Sequence, residues 1–170
     1  MPKISDMGAA LARIEHLNEE DALRREKELR NLTQRLPFMP VGREGRADVY
    51  DVASLAALRL VQVAADVGVT RPILSRLVSA LHETHRADGP SAGKKERVMD
   101  RLEARAKAGD RFSVSIDLLP GGDTVVRIGD RPKSETDAIF ESAGFPDPIA
   151  TVEIRADELI RALVGELKAD

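Results

Sequence analysis

Apolar positions along the chain change their period near residue 108, and the elements follow from that change. Up to there leucines, valines and isoleucines recur one helical turn apart, which predicts helices over 5–15, 19–35, 52–66, 70–84 and 94–108. Ser5 or Asp6 is expected to cap the first, Asn18 the second, Asp51 the third and Thr70 the fourth, with Pro72 accepted in its first turn. Leu23, Leu29, Leu32 and Leu36 supply the stripe of the second helix, and Pro37 stops it. Leu55, Leu58, Val61, Val63 and Val67 make the third helix apolar on most sides, so it should be buried. Ile73, Leu74, Leu77, Val78 and Leu81 form the inner face of the fourth.

Two segments interrupt this regime. Residues 37–50 hold two prolines and two glycines, and predict short strands at Val41 and Val49–Tyr50 around a Gly42–Gly45 turn. Residues 86–96 are polar, with one proline and two glycines, and read as a linker. Beyond 108 the period is two. Phe112, Val114, Ile116 and Leu118 alternate with Ser113, Ser115 and Asp117, a PGGD turn follows, and TVVRIG returns. A short helix near 135–143, a third strand over 150–156 and an amphipathic helix from Asp157 to Lys168 complete the chain. The fold class expected is α+β and mainly α. A winged-helix-like helical domain over 1–86 is followed by a linker and connecting helix over 87–108. A small three-stranded antiparallel sheet with helices, over 109–170, is expected to mediate self-association or to bind a protein partner.

Composition narrows the function classes. The 170 residues include one Tyr, no Trp and no Cys. Disulfides and thiolate metal sites are excluded, and stacking platforms for single strands are disfavoured. No apolar run approaches a membrane span, so a cytoplasmic location away from membranes is expected. Arg outnumbers Lys by 19 to 7, which fits a bacterial or phage genome rich in GC. The net charge of −3 hides a local excess: residues 22–46 carry seven basic and three acidic side chains.

The stretch 36–81 resembles the wing and following helices of MerR-type winged helix-turn-helix proteins. Leu36-Pro37, Gly42-Arg43, Arg46, Tyr50, the helix led by Asp51, and then Leu58, Ala64, Gly68-Val69, Ile73, Leu77 and Leu81 carry the resemblance. It implies binding of double-stranded DNA, with Arg43 and Arg46 on phosphates or in the minor groove and Tyr50 offering its hydroxyl to a phosphate. Arg24, Arg25, Lys27 and Arg30 on the preceding helix join that basic surface. The chain departs from the family: the first helix pair has no turn glycine, its second helix opens on Glu19, Glu20 and Asp21, and the sensing cysteines of some members are absent. Residues 64–78 also fit a general helix-turn-helix, with Gly68 at the turn and Thr70, Arg71, Ser75 and Arg76 outward. Which helix reads DNA stays open.

The other chemistry-bearing stretches read as structural. His82-Glu83-Thr84-His85 has two histidines three apart but no third ligand, and reads as exposed residues at a helix end. PGGD lacks the strand–loop–helix setting of a phosphate-gripping loop. No nucleophile–base pair stands out, so neither an enzyme nor a cofactor or metal is expected. The function expected is a sequence-specific transcriptional regulator, dimeric through the C-terminal helix or a sheet edge. The alternative is a non-enzymatic interaction protein, such as a phage assembly or packaging accessory factor.

Overall fold

Capping side chains set where the helices start in the computed structural model, which describes residues 1–86, 95–120, 123–130 and 148–168. Asn18 accepts from the Asp21 N–H at 2.9 Å and opens α2 (Glu19–Arg35). Asp51 accepts from the Ser54 N–H at 2.7 Å and opens α3 (Val52–Asp66). Both helices span the residues expected. The helix α1 (Ile4–Ile14) begins one residue before the expected start, because Asp6 sits inside its first turn and reaches back to the Lys3 N–H at 2.7 Å. Thr70 precedes α4 (Arg71–His82), but its side chain makes no cap bond.

A hairpin of β1 (Gly42–Glu44) and β2 (Ala47–Val49) lies between α2 and α3. Glu44 pairs with Ala47, so the turn is Gly45–Arg46 and not the whole of 42–45. Gly45 has φ +63°, which a two-residue hairpin turn demands at this place. After α4 comes a second hairpin, β3 (Thr84–Arg86) with β4 (Lys95–Arg97). The flanks of the expected linker are therefore paired strands, and α5 (Val98–Ala108) starts later than position 94 for the same reason. Residues 87–94, the glycines of the PGGD tip and the expected helix at 135–143 lie outside the described residues.

The antiparallel sheet runs β6 (Thr124–Asp130), β5 (Phe112–Leu118), β7 (Ala150–Ile154), with β5 in the centre. Phe112, Val114 and Ile116 are buried as the alternation predicts. Ser113, expected outward, is buried too, and so is Asp117, which is 2% exposed. Its carboxylate accepts from Thr151 Oγ1 at 2.6 Å on β7 and pairs with Arg127 on β6, neighbours that a single-strand pattern does not contain. The last helix, α6 (Ala156–Lys168), follows β7.

One apolar cluster joins all of this. It takes in Met7 and Leu11 of α1, Leu55 and Leu58 of α3, Leu77 and Leu81 of α4, Met99 of α5, Phe112 of β5, and Ile160 and Leu163 of α6. The cluster crosses the boundaries drawn at 86 and 109. α6 packs on α1, α3 and α5, so its apolar face is used within the chain and is not a free dimer surface. Two leucine-stripe assignments also change. Leu23 is 64% exposed, because it stands about 120° around the helix from Leu29, whereas Arg25 and Leu32 stand within about 60° of it. Val67 is 61% exposed, because α3 ends at Asp66 and Val67 belongs to the break. No helix among the described residues is long and apolar enough to cross a membrane.

Candidate nucleic-acid interface

The first helix pair turns without glycine: His16 adopts the left-handed backbone, φ 53°, that glycine would occupy more easily. Leu29 anchors α2 in the core, and its opposite side faces water. On that side Arg24 pairs with Glu28 at 3.3 Å and Arg30 with Glu26 at 2.6 Å, while Lys27 is exposed and has no ion pair among the described residues. Glu19, Glu20 and Asp21 are exposed at the start of the helix.

Arg25 does not belong to this surface. Its side chain is 20% exposed and bonds Glu15 at 3.3 Å, Glu28 at 3.0 Å and Asp66 at 3.1 Å. Glu15 also holds Arg59 of α3 at 2.7 Å, Arg59 pairs with Gln62, and Gln62 pairs with Asp66. The groups close a ring across α1, α2 and α3. Burial works to lower the Arg25 pKa, and Glu15, Asp66 and Glu28 more than reverse it, holding the guanidinium above its ordinary value. Sequence reasoning missed this ring because Glu15, Arg25 and Arg59 come together only through helix packing.

On the hairpin, Arg43 and Asp48 face each other across the strands at 2.7 Å, and Glu44 bonds Lys3 at 3.0 Å. The hydrogen bond to Asp48 raises the Arg43 pKa, and the hydrogen bond from Lys3 lowers that of Glu44. Arg46 is exposed at the turn and has no ion pair among the described residues. Tyr50 is 4% exposed, so the expected phosphate contact is corrected: the ring is part of the core beneath the hairpin. Burial raises its phenol pKa. Its backbone N–H donates to the Pro2 carbonyl at 3.0 Å.

Thr70, Arg71 and Arg76 are all exposed on α4, whose Leu74, Leu77 and Leu81 turn inward. The first turn of α4 contains no acid. Arg71 donates to the Arg35 carbonyl at 3.0 Å, which sets the start of α4 beside the end of α2. Arg35 is exposed without an ion pair among the described residues, and this contact groups it with Arg71. The signal in the sequence is its place as the basic residue in the last turn of α2.

Arg97 is the second group that sequence reasoning passed over. It donates to Asp51 at 2.9 Å, to Ser54 Oγ at 3.1 Å and to Asp100 at 2.6 Å, tying the start of α5 to the start of α3 beside the hairpin. The Asp100 carboxyl is held below its ordinary pKa, first by the Arg97 side-chain hydrogen bond. That sign fixes a pH window. The contribution is present above the unfolded value, about 3.9, and is lost as pH falls through the lower folded value. Asp100→Asn is therefore expected to flatten the acid limb of a urea-midpoint profile while leaving its shape near neutrality; an unchanged acid limb would remove this pair from the acid response.

His82 is half-buried and not exposed at a helix end as expected. Its Nδ1 lies 2.9 Å from the Val78 carbonyl, and its ring meets Phe38 edge-on at 5.5 Å. Among the described residues no group of three His, Asp or Glu side chains is placed to hold a metal ion. No protein-family model, curated protein or solved structure matches the chain.

Proposed function

We propose that residues 1–82 form the double-stranded DNA-binding unit of a bacterial or phage transcriptional regulator. One observation carries the reading. Around a helix pair, a two-stranded hairpin and a second helix pair, the exposed cations Lys27, Arg35, Arg46 and Arg76 are left without ion pairs among the described residues, while Arg24, Arg30 and Arg43 are neutralised. Unpaired surface guanidinium groups suit phosphates and guanine edges. In this reading Arg46 approaches the backbone from a turn that Gly45 keeps narrow. The start of α4 brings Thr70, Arg71 and Arg76 to the duplex with no carboxylate in its first turn, whereas α2 begins on three acids. That contrast favours α4 as the helix nearer to DNA. A dimer supplies the second half-site that specificity needs.

The acids at Glu19–Asp21, with exposed Leu23 beside them, favour a second reading: a non-enzymatic interaction or assembly protein that meets a partner through α2. Fluorescence anisotropy with a labelled mixed-sequence duplex, titrated at several salt concentrations, separates the two. DNA binding predicts affinity that falls with salt, with a slope shallower by up to ~1.8 in log–log terms for Arg43→Ala/Arg46→Ala, ~0.9 for each phosphate no longer neutralised. The plateau is expected at two chains per specific duplex. No binding at low salt sinks the regulator and leaves the partner reading.

A further inference from the structure

The hairpin carries its own counter-anion. Arg43 Nε donates to Asp48 Oδ1 at 2.7 Å from the directly opposite strand position. The pair stands in water, with side chains 73% and 38% exposed, so it contributes little to folding. Its geometry is that of a guanidinium on a phosphate oxygen, with a carboxylate in the phosphate's place. Glu44 is different, because Lys3 already holds it. Arg46, at the turn next to it, has no such partner among the described residues.

We infer that Asp48 is a phosphate stand-in that gates the hairpin. In the free protein it occupies Arg43, and on docking a backbone phosphate takes its place. This rests on the DNA-binding reading above. Arg46 makes the first contact, since it has nothing to give up. Arg43 follows only where a phosphate is held close enough to outcompete a carboxylate already in position. The freed Asp48 then stands beside the phosphate and opposes it. Asp48 thus weakens attachment to loosely held polyanions and keeps the contact for a well-seated duplex, which is specificity gained through a repulsive group.

The test is a double-mutant cycle in the same anisotropy assay, with Asp48→Asn, Arg43→Ala and the double variant in the full chain. Asn keeps the size and polarity of the side chain, and an unchanged unfolding midpoint checks that the hairpin holds. Asp48→Asn is expected to tighten binding about two- to fivefold, the range of exposed ion pairs, and to steepen the salt slope by up to ~0.9. Both effects should shrink when Arg43 is Ala, because only the repulsion between Asp48 and the phosphate then remains. A wild type that binds while Asp48→Asn binds no tighter, or binds equally tighter without Arg43, would overturn the gate and leave DNA binding standing. If neither wild type nor Asp48→Asn binds at low salt, the gate and the DNA reading fall together.

Discussion

Glu15→Ala is expected to lower the unfolding free energy by about 3 kcal/mol, toward the lower end of what breaking a buried ion pair costs. The carboxylate lies between two guanidinium groups, 2.7 Å from Arg59 and 3.3 Å from Arg25. Removing it leaves two neighbouring positive charges, one of them on a side chain only 8% exposed. Arg25 keeps Glu28 and Asp66, but among the described residues Arg59 keeps only the Gln62 oxygen, which carries no full charge. The lower end of the range applies because Glu15 and Arg25 each retain a fifth of their side-chain exposure. Urea unfolding measures the loss, and Glu15→Gln should recover part of it by restoring an acceptor. Lys27→Ala on the outer side of α2 should stay within about 0.5 kcal/mol of wild type. A loss below about 1 kcal/mol for Glu15→Ala, the worth of an exposed pair, would mean that the ring is an ordinary surface network.

The second large effect is expected far from the basic surface. Leu163→Ala on α6 should destabilise the whole chain by about 2–5 kcal/mol, because it empties a fully buried leucine site. What the signal reports matters as much as its size. Tyr50 is the chain's only tyrosine, there is no tryptophan, and Tyr50 is buried beneath the hairpin in the N-terminal half. Its fluorescence therefore follows that half alone. Since α6 packs on α1 and α3, the Tyr50 transition and the helical far-ultraviolet signal should shift together to lower urea in Leu163→Ala. A Tyr50 transition left at the wild-type midpoint would show that the two halves unfold independently despite their common core. Joint unfolding would also mean that residues 1–86 made alone lack part of their core and are unsuited to binding assays.

Whatever depends on neighbours along the chain is legible in the order of the residues. The spans of α2 and α3 follow from Asn18 and Asp51 and from the 3.6-residue period, and the alternation of Phe112, Val114 and Ile116 predicts the central strand. The mainly helical α+β class follows from the same signals. The turn at Gly45 is legible too, although its limits moved by a few residues, because strand pairing sets register and a run of four loop residues does not. Which charges face water is set by how the helices pack. Arg25 and Lys27 sit two apart on one helix and look alike in sequence. One points at Glu15 and Asp66 from neighbouring helices and the other points at water. Asp117 was decided the same way, by Thr151, 34 positions away, and Tyr50 by the core that closes over its ring. Periodicity and capping are local and can be read in order; burial of a charge depends on what folds back over it.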